Sequence, residues 1–264
     1  MTVRVIDIIK AIESFAPVCL QESYDNSGVQ IGGDLNAQCT GVMTAVDPTP
    51  EVVRQARDAG CNLIVTHHPL LFRGLKSITG ATPVETAAIE CIRAGITLYS
   101  AHTSLDKAPG GISAVMAEHL GLVNAAPLEK DSGNPDAGLG AIGSLPAPLE
   151  PAEFISLVKQ RFGSPVVRHT AAIPGKKLSR IALCGGSGAS LIDTAIASGA
   201  DAMLTSDTRY HDFVDYAGRI FIVDIGHFES EKCSKSIFHN VITEKFPNFA
   251  PLYTATEINP INYM

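Results

Sequence analysis

Two adjacent histidines stand directly after a short apolar segment. Asn62–Thr66 is followed by His67 and His68. Inside a strand such neighbours would point to opposite faces of the sheet, but past the strand end the backbone can turn both imidazoles into one cavity. Neutral imidazole is a ligand for zinc, iron, nickel and copper. The pair therefore indicates a metal site; the alternative is a chance pair with one packed and one exposed histidine.

A histidine and a carboxylate at helical spacing form a second candidate group. His227 and Glu231 are four residues apart, so they share one face of a helix that starts in this segment. The two oxygens of one carboxylate can bridge two metal ions. Glu229 competes for this role, but it should point elsewhere on the helix, and it is predicted to be a solvated residue near the helix start.

The segment His102–Asp106 supplies another imidazole and another carboxylate, again four residues apart. Asp106 is a candidate metal ligand, although aspartate is also common in ordinary turns and helix caps. His102 is a candidate for a group that orients a ligand. His102 and His211 are also candidate catalytic groups for proton transfer, whereas the default for His211 is an ordinary surface or core histidine.

Together these segments offer three histidines and two carboxylates as metal ligands: His67, His68, Asp106, His227 and Glu231. This set is too small for two closed structural sites, but it suits two open sites in which water or substrate takes the remaining positions. Two adjacent divalent metal ions can generate hydroxide at neutral pH and clamp a substrate oxygen. The residue types do not decide between zinc, iron, manganese and nickel.

The candidate ligands fall where predicted strands end. The predicted strands are Thr40–Val46, Asn62–Thr66, Thr97–Ala101, Ile142–Leu145, Val166–His169, Arg180–Cys184, Ala202–Thr205 and Ile220–Ile225. The predicted helices between and after them are Pro50–Ala59, Val84–Ala94, Gly111–Leu120, Pro151–Phe162, Ser190–Ser198 and Glu231–Phe246. Short apolar strands alternating with helices predict an α/β fold with a largely parallel sheet, in which ligands bind beyond the carboxyl ends of the strands.

Two segments interrupt this alternation. Asn124–Gly140 is rich in Gly, Pro, Asp and Asn and is predicted to be a loop, and Pro146–Pro151 is a second cluster of breaker residues. They mark a possible junction near residues 124–151 between two α/β lobes of a single unit spanning residues 1–264. The glycine-rich segment Cys184–Gly188 could cradle an anion with its N–H groups, but a tight strand-to-helix turn fits at least as well.

The composition limits the partners and the compartment. The net charge is −7, and the chain has no run of Lys and Arg, which disfavours nucleic acid as a general partner. Six scattered cysteines predict reduced, mostly buried thiols in a cytosolic protein. The first twenty residues predict an amphipathic helix rather than a signal peptide, and no apolar run is long enough to span a membrane. Charged residues make up only 18% of the chain, which suggests surface hidden in an oligomer or a large monomeric core.

Seven segments, in order along nearly the whole chain, resemble the Nif-three-like proteins, also called GTP cyclohydrolase I type 2 homologues. The segments are ESYDNSGVQIG from Glu22, VDPTPEVV from Val46, NLIVTHHPLLF from Asn62, AHTSLDKAPGG from Ala101, GLGAIG from Gly138, CGGSGASLIDTAIASGAD from Cys184 and DIGHFESE from Asp224. The resemblance implies a two-lobed α/β fold, a dinuclear metal site and a toroidal homohexamer built as a trimer of dimers. The length corresponds to the compact form of the family, without the inserted middle domain.

The resemblance also implies which residues share each metal ion. His68, Asp106 and Glu231 would hold one ion, while His67, His227 and Glu231 would hold the other, so that Glu231 is shared. The chain departs from the usual family pattern at three positions: Tyr24 replaces Trp, Ser206 replaces Gly and Phe228 replaces Tyr. None of these departures removes a candidate ligand.

Two classes of function are compatible with this sequence. The first is a metal-dependent hydrolase acting on a nucleotide or a related small phosphorylated or heterocyclic compound, with a ring opening like that of GTP cyclohydrolase as its named form. The second is a non-enzymatic hexameric assembly that handles metal or regulates partners. Open coordination positions favour the enzyme, because substrate needs access to the metal ions.

Overall fold

The structure is a computed structural model that describes residues 2–255 and 257–264. The chain forms two compact units, each built from two segments of the sequence. The first unit comprises Met1–Leu105 and Ser234–Ile258, and the second comprises Asp106–Cys233 and Asn259–Met264. The predicted junction near residues 124–151 falls inside the second unit.

Helices and strands alternate along the chain, which confirms the predicted α/β class. The strands are β1 (Gly28–Ile31), β2 (Val42–Ala45), β3 (Leu63–Thr66), β4 (Thr97–Ser100), β5 (Val123–Lys130), β6 (Gly138–Leu149), β7 (Arg168–His169), β8 (Leu178–Ser187), β9 (Ala202–Ser206), β10 (Phe221–Asp224) and β11 (Leu252–Tyr253). The helices are α1 (Val5–Phe15), α2 (Pro50–Asp58), α3 (Pro83–Ala94), α4 (Thr103–Lys107), α5 (Ile112–Leu120), α6 (Pro151–Phe162), α7 (Ile192–Ala197), α8 (Tyr210–Asp215), α9 (His227–Glu231) and α10 (Ser234–Lys245).

The first unit contains a largely parallel sheet with the strand order β1-β4-β3-β2-β11. β2, β3 and β4 run parallel to one another, and only β1 is antiparallel to its neighbour within the part of the chain that the structure describes. The central strands are buried on both faces, as their uninterrupted apolar sequences predict. Threonine caps followed by proline start α2 and α3. The carboxyl ends of β2, β3 and β4 therefore meet at one edge.

The second unit contains a mixed sheet with the strand order β5-β6-β8-β9-β10-β7. β8, β9 and β10 are parallel, whereas β5–β6, β6–β8 and β7–β10 are antiparallel pairs. The core of this unit packs α7 against the sheet through residues such as Ile192, Ala195 and Met203. The parallel part brings the ends of β8, β9 and β10 to one edge, as in the first unit.

The predicted loop at Asn124–Gly140 is wrong for most of its length. Residues 123–130 form β5 and residues 138–149 form β6, and the two strands pair antiparallel from Val123–Ser144 to Lys130–Gly138. Most of β5 is exposed, because it is the edge strand of the sheet. Polar residues and Pro127 are tolerated at an edge, and this composition resembles that of a loop.

The predicted continuous helix from Glu231 to Phe246 is also wrong. Glu231 is the last residue of the short helix α9, and a new helix begins at Ser234. The break separates the two units, because Cys233 ends a segment of the second unit and Ser234 begins a segment of the first. His227 and Glu231 nevertheless lie on one helix, as predicted.

Most of the cysteines are buried, as predicted. All six are free thiols, and Cys39, Cys61, Cys91 and Cys184 are buried. Within residues 2–255 and 257–264, no helix combines the length and the apolar character that crossing a membrane requires.

Candidate metal centre

Three imidazoles cluster at the edge of the first sheet. His67 and His68 follow β3, and His102 follows β4, its parallel neighbour. Their potential ligand atoms lie within 4.8 Å of one another. The ring centroids are 5.0 Å apart for His67 and His68 and 5.3 Å apart for His67 and His102. The structure therefore brings the predicted histidine pair together and adds His102 to it.

A hydrogen bond fixes the orientation of each ring in the histidine pair. The Nδ1 atom of His67 lies 3.0 Å from the backbone oxygen of Ala101. The Nδ1 atom of His68 lies 2.7 Å from Oδ1 of Asp47, which follows β2. An acceptor at Nδ1 stabilises the tautomer in which Nε2 carries the lone pair, which is the usual arrangement of metal-ligating histidines.

Asp25 holds His102 in the same manner. Its Oδ1 atom lies 2.7 Å from Nδ1 of His102, and its Oδ2 atom accepts hydrogen bonds from the backbone and hydroxyl of Thr103. The Asp25 side chain is fully buried. Burial opposes its ionisation, but the hydrogen bonds from His102 and Thr103 outweigh burial and hold the pKa of Asp25 well below its ordinary value. Asp25 is thus a charged anchor that directs the His102 ring.

The second unit places His227 and Glu231 in direct contact. The Nε2 atom of His227 lies 2.9 Å from Oε2 of Glu231, and its Nδ1 atom lies 2.7 Å from Oδ2 of Asp207, which follows β9. Burial disfavours the charged imidazole, but the hydrogen bonds to the two carboxylates outweigh it and raise the pKa of His227 to about 10. A metal ion that binds here must replace this proton, because imidazole coordinates metals in its neutral form.

In the second unit Asp106 is partly buried and Glu231 is buried, and the charges of both act on the same buried cysteine, Cys184. Glu231 is 2% exposed. Burial and then the charges of Asp106 and Glu231 raise the pKa of the Cys184 thiol, and burial and Glu231 raise the pKa of Cys233 to about 12. Carboxylate and imidazole groups are donors that divalent metal ions take. Asp106, His227 and Glu231 of this unit each belong to a group of residues that could hold a metal ion, and so do the three imidazoles of the first unit.

Glu229 is not the solvated residue that the sequence predicted. It is 7% exposed, and its Oε1 atom accepts a hydrogen bond of 2.8 Å from Nδ2 of Asn259. Asn259 lies in the C-terminal segment of the second unit, so Glu229 attaches that segment to α9. A structural role for Glu229 explains its presence beside the candidate ligands.

The glycine-rich segment after Cys184 is the close-packed end of β8 and the residue that follows it, rather than an anion cradle. The N–H of Gly186 donates to Oγ of Ser230, and the N–H of Gly188 donates to Oγ1 of Thr205. The carbonyl of Gly186 accepts hydrogen bonds from the hydroxyls of Thr205 and Ser206. These groups are used within the fold, so they are not available to an anion.

Gly186 lies close against the carboxylate of Glu231. Its φ is 60°, and a Cβ at this position would lie 2.2 Å from Oε1 of Glu231. Gly175 has a similar φ of 72°, but a Cβ there would meet nothing within 4 Å. Gly175→Ala is expected to lower the free energy of unfolding by about 1–2 kcal/mol through backbone strain alone. Gly186→Ala should cost about 1–3 kcal/mol more through overpacking and should displace Glu231.

Urea unfolding and metal titration of the two variants test this expectation. Gly186→Ala should lose bound metal as well as stability, while Gly175→Ala should keep the metal content of the wild type. Equal metal content in the two variants would show that the close approach of Gly186 to Glu231 does not matter for the site.

The sequence did not predict that three carboxylates orient histidine rings. These are the side chains of Asp25, Asp47 and Asp207. The signal was present for two of them, because Asp47 and Asp207 lie within two residues of the ends of parallel strands. Asp25 follows no strand, and its contact with His102 spans 77 positions in the sequence. His211 is exposed on α8, where its ring lies against Tyr210, and its role in proton transfer stays a prediction.

Known proteins are similar to this chain in sequence and in fold. The chain is 38% identical over 226 residues to a protein of Clostridium perfringens (strain 13 / Type A) named "GTP cyclohydrolase 1 type 2 homolog", covering 85% of this chain and 86% of that relative. A protein of Clostridium acetobutylicum with the same name is 35% identical, with 88% and 86% covered.

Solved structures agree with this relationship. Staphylococcus aureus protein SA1388 is 25% identical, with a TM-score of 0.91 and 100% of both chains covered. A Bacillus cereus protein related to NIF3 is 24% identical and has the same fold, with a TM-score of 0.93 over 100% of both chains. The family described as Duf34/NIF3 (NGG1p interacting factor 3) matches residues 3–260. The chain therefore belongs to the Duf34/NIF3 family.

Proposed function

We propose that His67, His68, Asp106, His227 and Glu231 hold a pair of divalent metal ions, and that the protein is a metal-dependent hydrolase. The observation that carries this proposal is the orientation of the histidines. The Nδ1 atoms of His67, His68 and His227 are each engaged by an oxygen acceptor. The metal-binding atom of each ring is therefore Nε2, and each ring is held before any metal arrives.

The residues around these ligands define what the protein itself contributes. Asp47 and Asp207 hold their imidazoles in one orientation, which reduces the entropy lost when a metal binds. Glu231 offers two oxygens from a buried position and can serve both ions. When bound, a pair of divalent ions supplies Lewis acidity and an activated water. His102, held by Asp25, is the candidate for moving a proton at Nε2.

A nucleotide or a related small molecule is the proposed substrate class. The name of the Clostridium perfringens relative, GTP cyclohydrolase 1 type 2 homolog, supports a heterocyclic nucleotide. The net charge of −7 supports a small ligand over nucleic acid, because an acidic protein can bind an anion through metal ions but not through a broad basic surface.

A turnover screen tests the proposal. Metal-replete protein is incubated with a library of nucleotides, phosphoesters and heterocycles, and Glu231→Ala protein serves as the control. Metal-dependent turnover that Glu231→Ala abolishes is the expected result. If metal-replete protein turns over no compound, the alternative of a metal-handling or regulatory assembly is the better description.

We also propose that the protein is a cytoplasmic homohexamer. Free thiols support a reducing compartment. Exposed apolar side chains such as Phe72, Ile78 and Ile92, which are 45%, 54% and 59% exposed, support association of subunits. Light scattering should give about six times the chain mass of 27.8 kDa. A monomer throughout the micromolar range would contradict the hexamer.

A further inference from the structure

The second unit contains a cavity of about 340 Å³ between the α4–α5 turn and the hairpin of β5 and β6. Alanines, prolines and glycines form most of its wall, and Asp106, Lys107, Ser113, Lys130 and Asp136 supply its polar groups. Small side chains leave space for a ligand rather than filling it. Because Asp106 is a proposed metal ligand, a molecule in this cavity would lie beside the proposed metal centre.

The first residues of α5 line this cavity. Gly111 is the cap residue of this nine-residue helix, and no side chain caps its first turn. Gly110, Ser113 and Ala114, around this turn, all line the cavity. The first N–H groups of a helix have no partner within the helix and carry a partial positive charge. Such a terminus is suited to an anion.

Ser113 provides an independent indication that a ligand binds here. Its side chain is 3% exposed and lines the cavity. Nowhere in residues 2–255 and 257–264 does another residue form a hydrogen bond with its hydroxyl. The hydroxyl opens onto the cavity, so its hydrogen-bonding partner is a water or a ligand in that space. This hydroxyl is therefore placed to donate to a bound oxygen.

The charged side chains of the cavity do not favour an anion by themselves, but they do so together with the positive potential at the start of α5. Lys107 and Lys130 balance Asp106 and Asp136, and Nζ of Lys107 also lies 3.1 Å from Oδ2 of Asp131. The start of α5 supplies the additional positive potential. The Lys107 side chain is 14% exposed, so its charge is screened by water less than that of a surface lysine.

We infer that this cavity binds the phosphate group of a small phosphomonoester, held by the start of α5, the Ser113 hydroxyl and Lys107. The inference rests on the proposed function, because it assigns the substrate of the metal centre to the phosphorylated class. The phosphate is the group that the cavity recognises, and the remainder of the molecule extends along the cavity wall that contains Asp106.

Phosphate binding by metal-free, full-length protein tests this inference without involving the metal ions. Inorganic phosphate and GMP are titrated calorimetrically into wild-type, Ser113→Asp, Ser113→Ala and Lys107→Met proteins. Ser113→Asp places a carboxylate where the phosphate would bind and should weaken the affinity for both probes at least about tenfold. The uncharged Ser113→Ala variant and Lys107→Met should each weaken it about threefold or more.

Ser156→Asp is the matched control, because it adds the same charge at an exposed position of α6 in the same unit. The affinity of Ser156→Asp for phosphate and GMP should equal that of the wild type. Equal phosphate affinity in Ser113→Asp, Ser113→Ala and wild-type protein would overturn the inference. The inference would also be overturned if phosphate bound only after metal is added and did not bind to Glu231→Gln. That result would leave the proposed metal-dependent function intact. Phosphate binding that depends on Ser113 in a protein without hydrolase activity would support the subsite and contradict the hydrolase.

Discussion

Replacing Glu231 by glutamine is expected to remove most of the bound metal, while the same change at Glu229 leaves the metal content intact. The wild type should bind about two divalent ions per chain after careful metal loading. Both glutamates are buried, at 2% and 7% exposure, and they stand two residues apart on α9. Similar burial and the same side-chain chemistry make this pair a matched comparison.

The partners of the two carboxylates explain the different outcomes. Glu231 contacts Nε2 of His227, which is the atom that a metal would take. Glu229 accepts a hydrogen bond from Asn259, and the carbonyl oxygen of a glutamine can accept the same bond. Glutamine at position 231 removes the negative charge and one of the two oxygens that two ions would share. Glutamine at position 229 should therefore affect only the attachment of the C-terminal segment.

Metal content by elemental analysis and thermal unfolding with and without metal give two independent measures. At a metal concentration of about one hundred times the Kd, binding should stabilise the wild type by about 2.7 kcal/mol for each bound ion. Glu229→Gln should retain this stabilisation, and Glu231→Gln should lose it. Equal metal loss in the two variants would mean that the carboxylate of the site was wrongly assigned, and no uptake of Zn, Mn, Fe or Ni by the wild type would refute the site.

The parallel strands of both units could be predicted because strands buried on both faces have short, continuous apolar sequences. Leu63–Thr66 and Phe221–Asp224 are buried at every position, so a continuous apolar run identifies them without knowledge of their neighbours. Strand β1 could not be predicted in this way. Its side chains are mostly partly exposed or exposed, and it becomes a strand by pairing with β4, about seventy positions later. Only the folded chain supplies that partner.

The candidate ligands were predictable for a related reason. In a parallel sheet the residues after neighbouring strands meet at one edge, so His68 and Asp47 could be expected near each other. The burial of Glu229 could not be predicted, because its partner Asn259 lies thirty positions away in an irregular segment. Local spacing identified the helix face of Glu231, but it carried no information about contacts made by the other face.

His67→Ala and His68→Ala are each expected to abolish most of the metal-dependent turnover. The two histidines are proposed to serve different ions, so each substitution should lower the metal content from about two ions per chain to about one. A mechanism that needs both ions loses several kcal/mol of stabilisation when either is absent, which corresponds to a loss of about a hundredfold or more in rate. The double variant should bind little metal but should be only slightly slower than either single variant, because groups that act as a unit are not additive.

Steady-state hydrolysis of GTP and simple phosphoesters, measured together with metal content, distinguishes this outcome from general damage to the fold. His67 is fully buried and His68 is partly buried, so urea unfolding of the metal-free variants is needed to measure the loss of packing. His119→Ala, at an exposed position on α5, is the control and should retain both metal and turnover.

If the rate losses of the two single variants multiply in the double variant, the histidines act independently and the ions do not work as a pair. If turnover survives both substitutions and a chelator, the activity belongs to another site or to a contaminant. Non-additive rates combined with a stepwise loss of metal are the result that only a shared, two-ion centre produces.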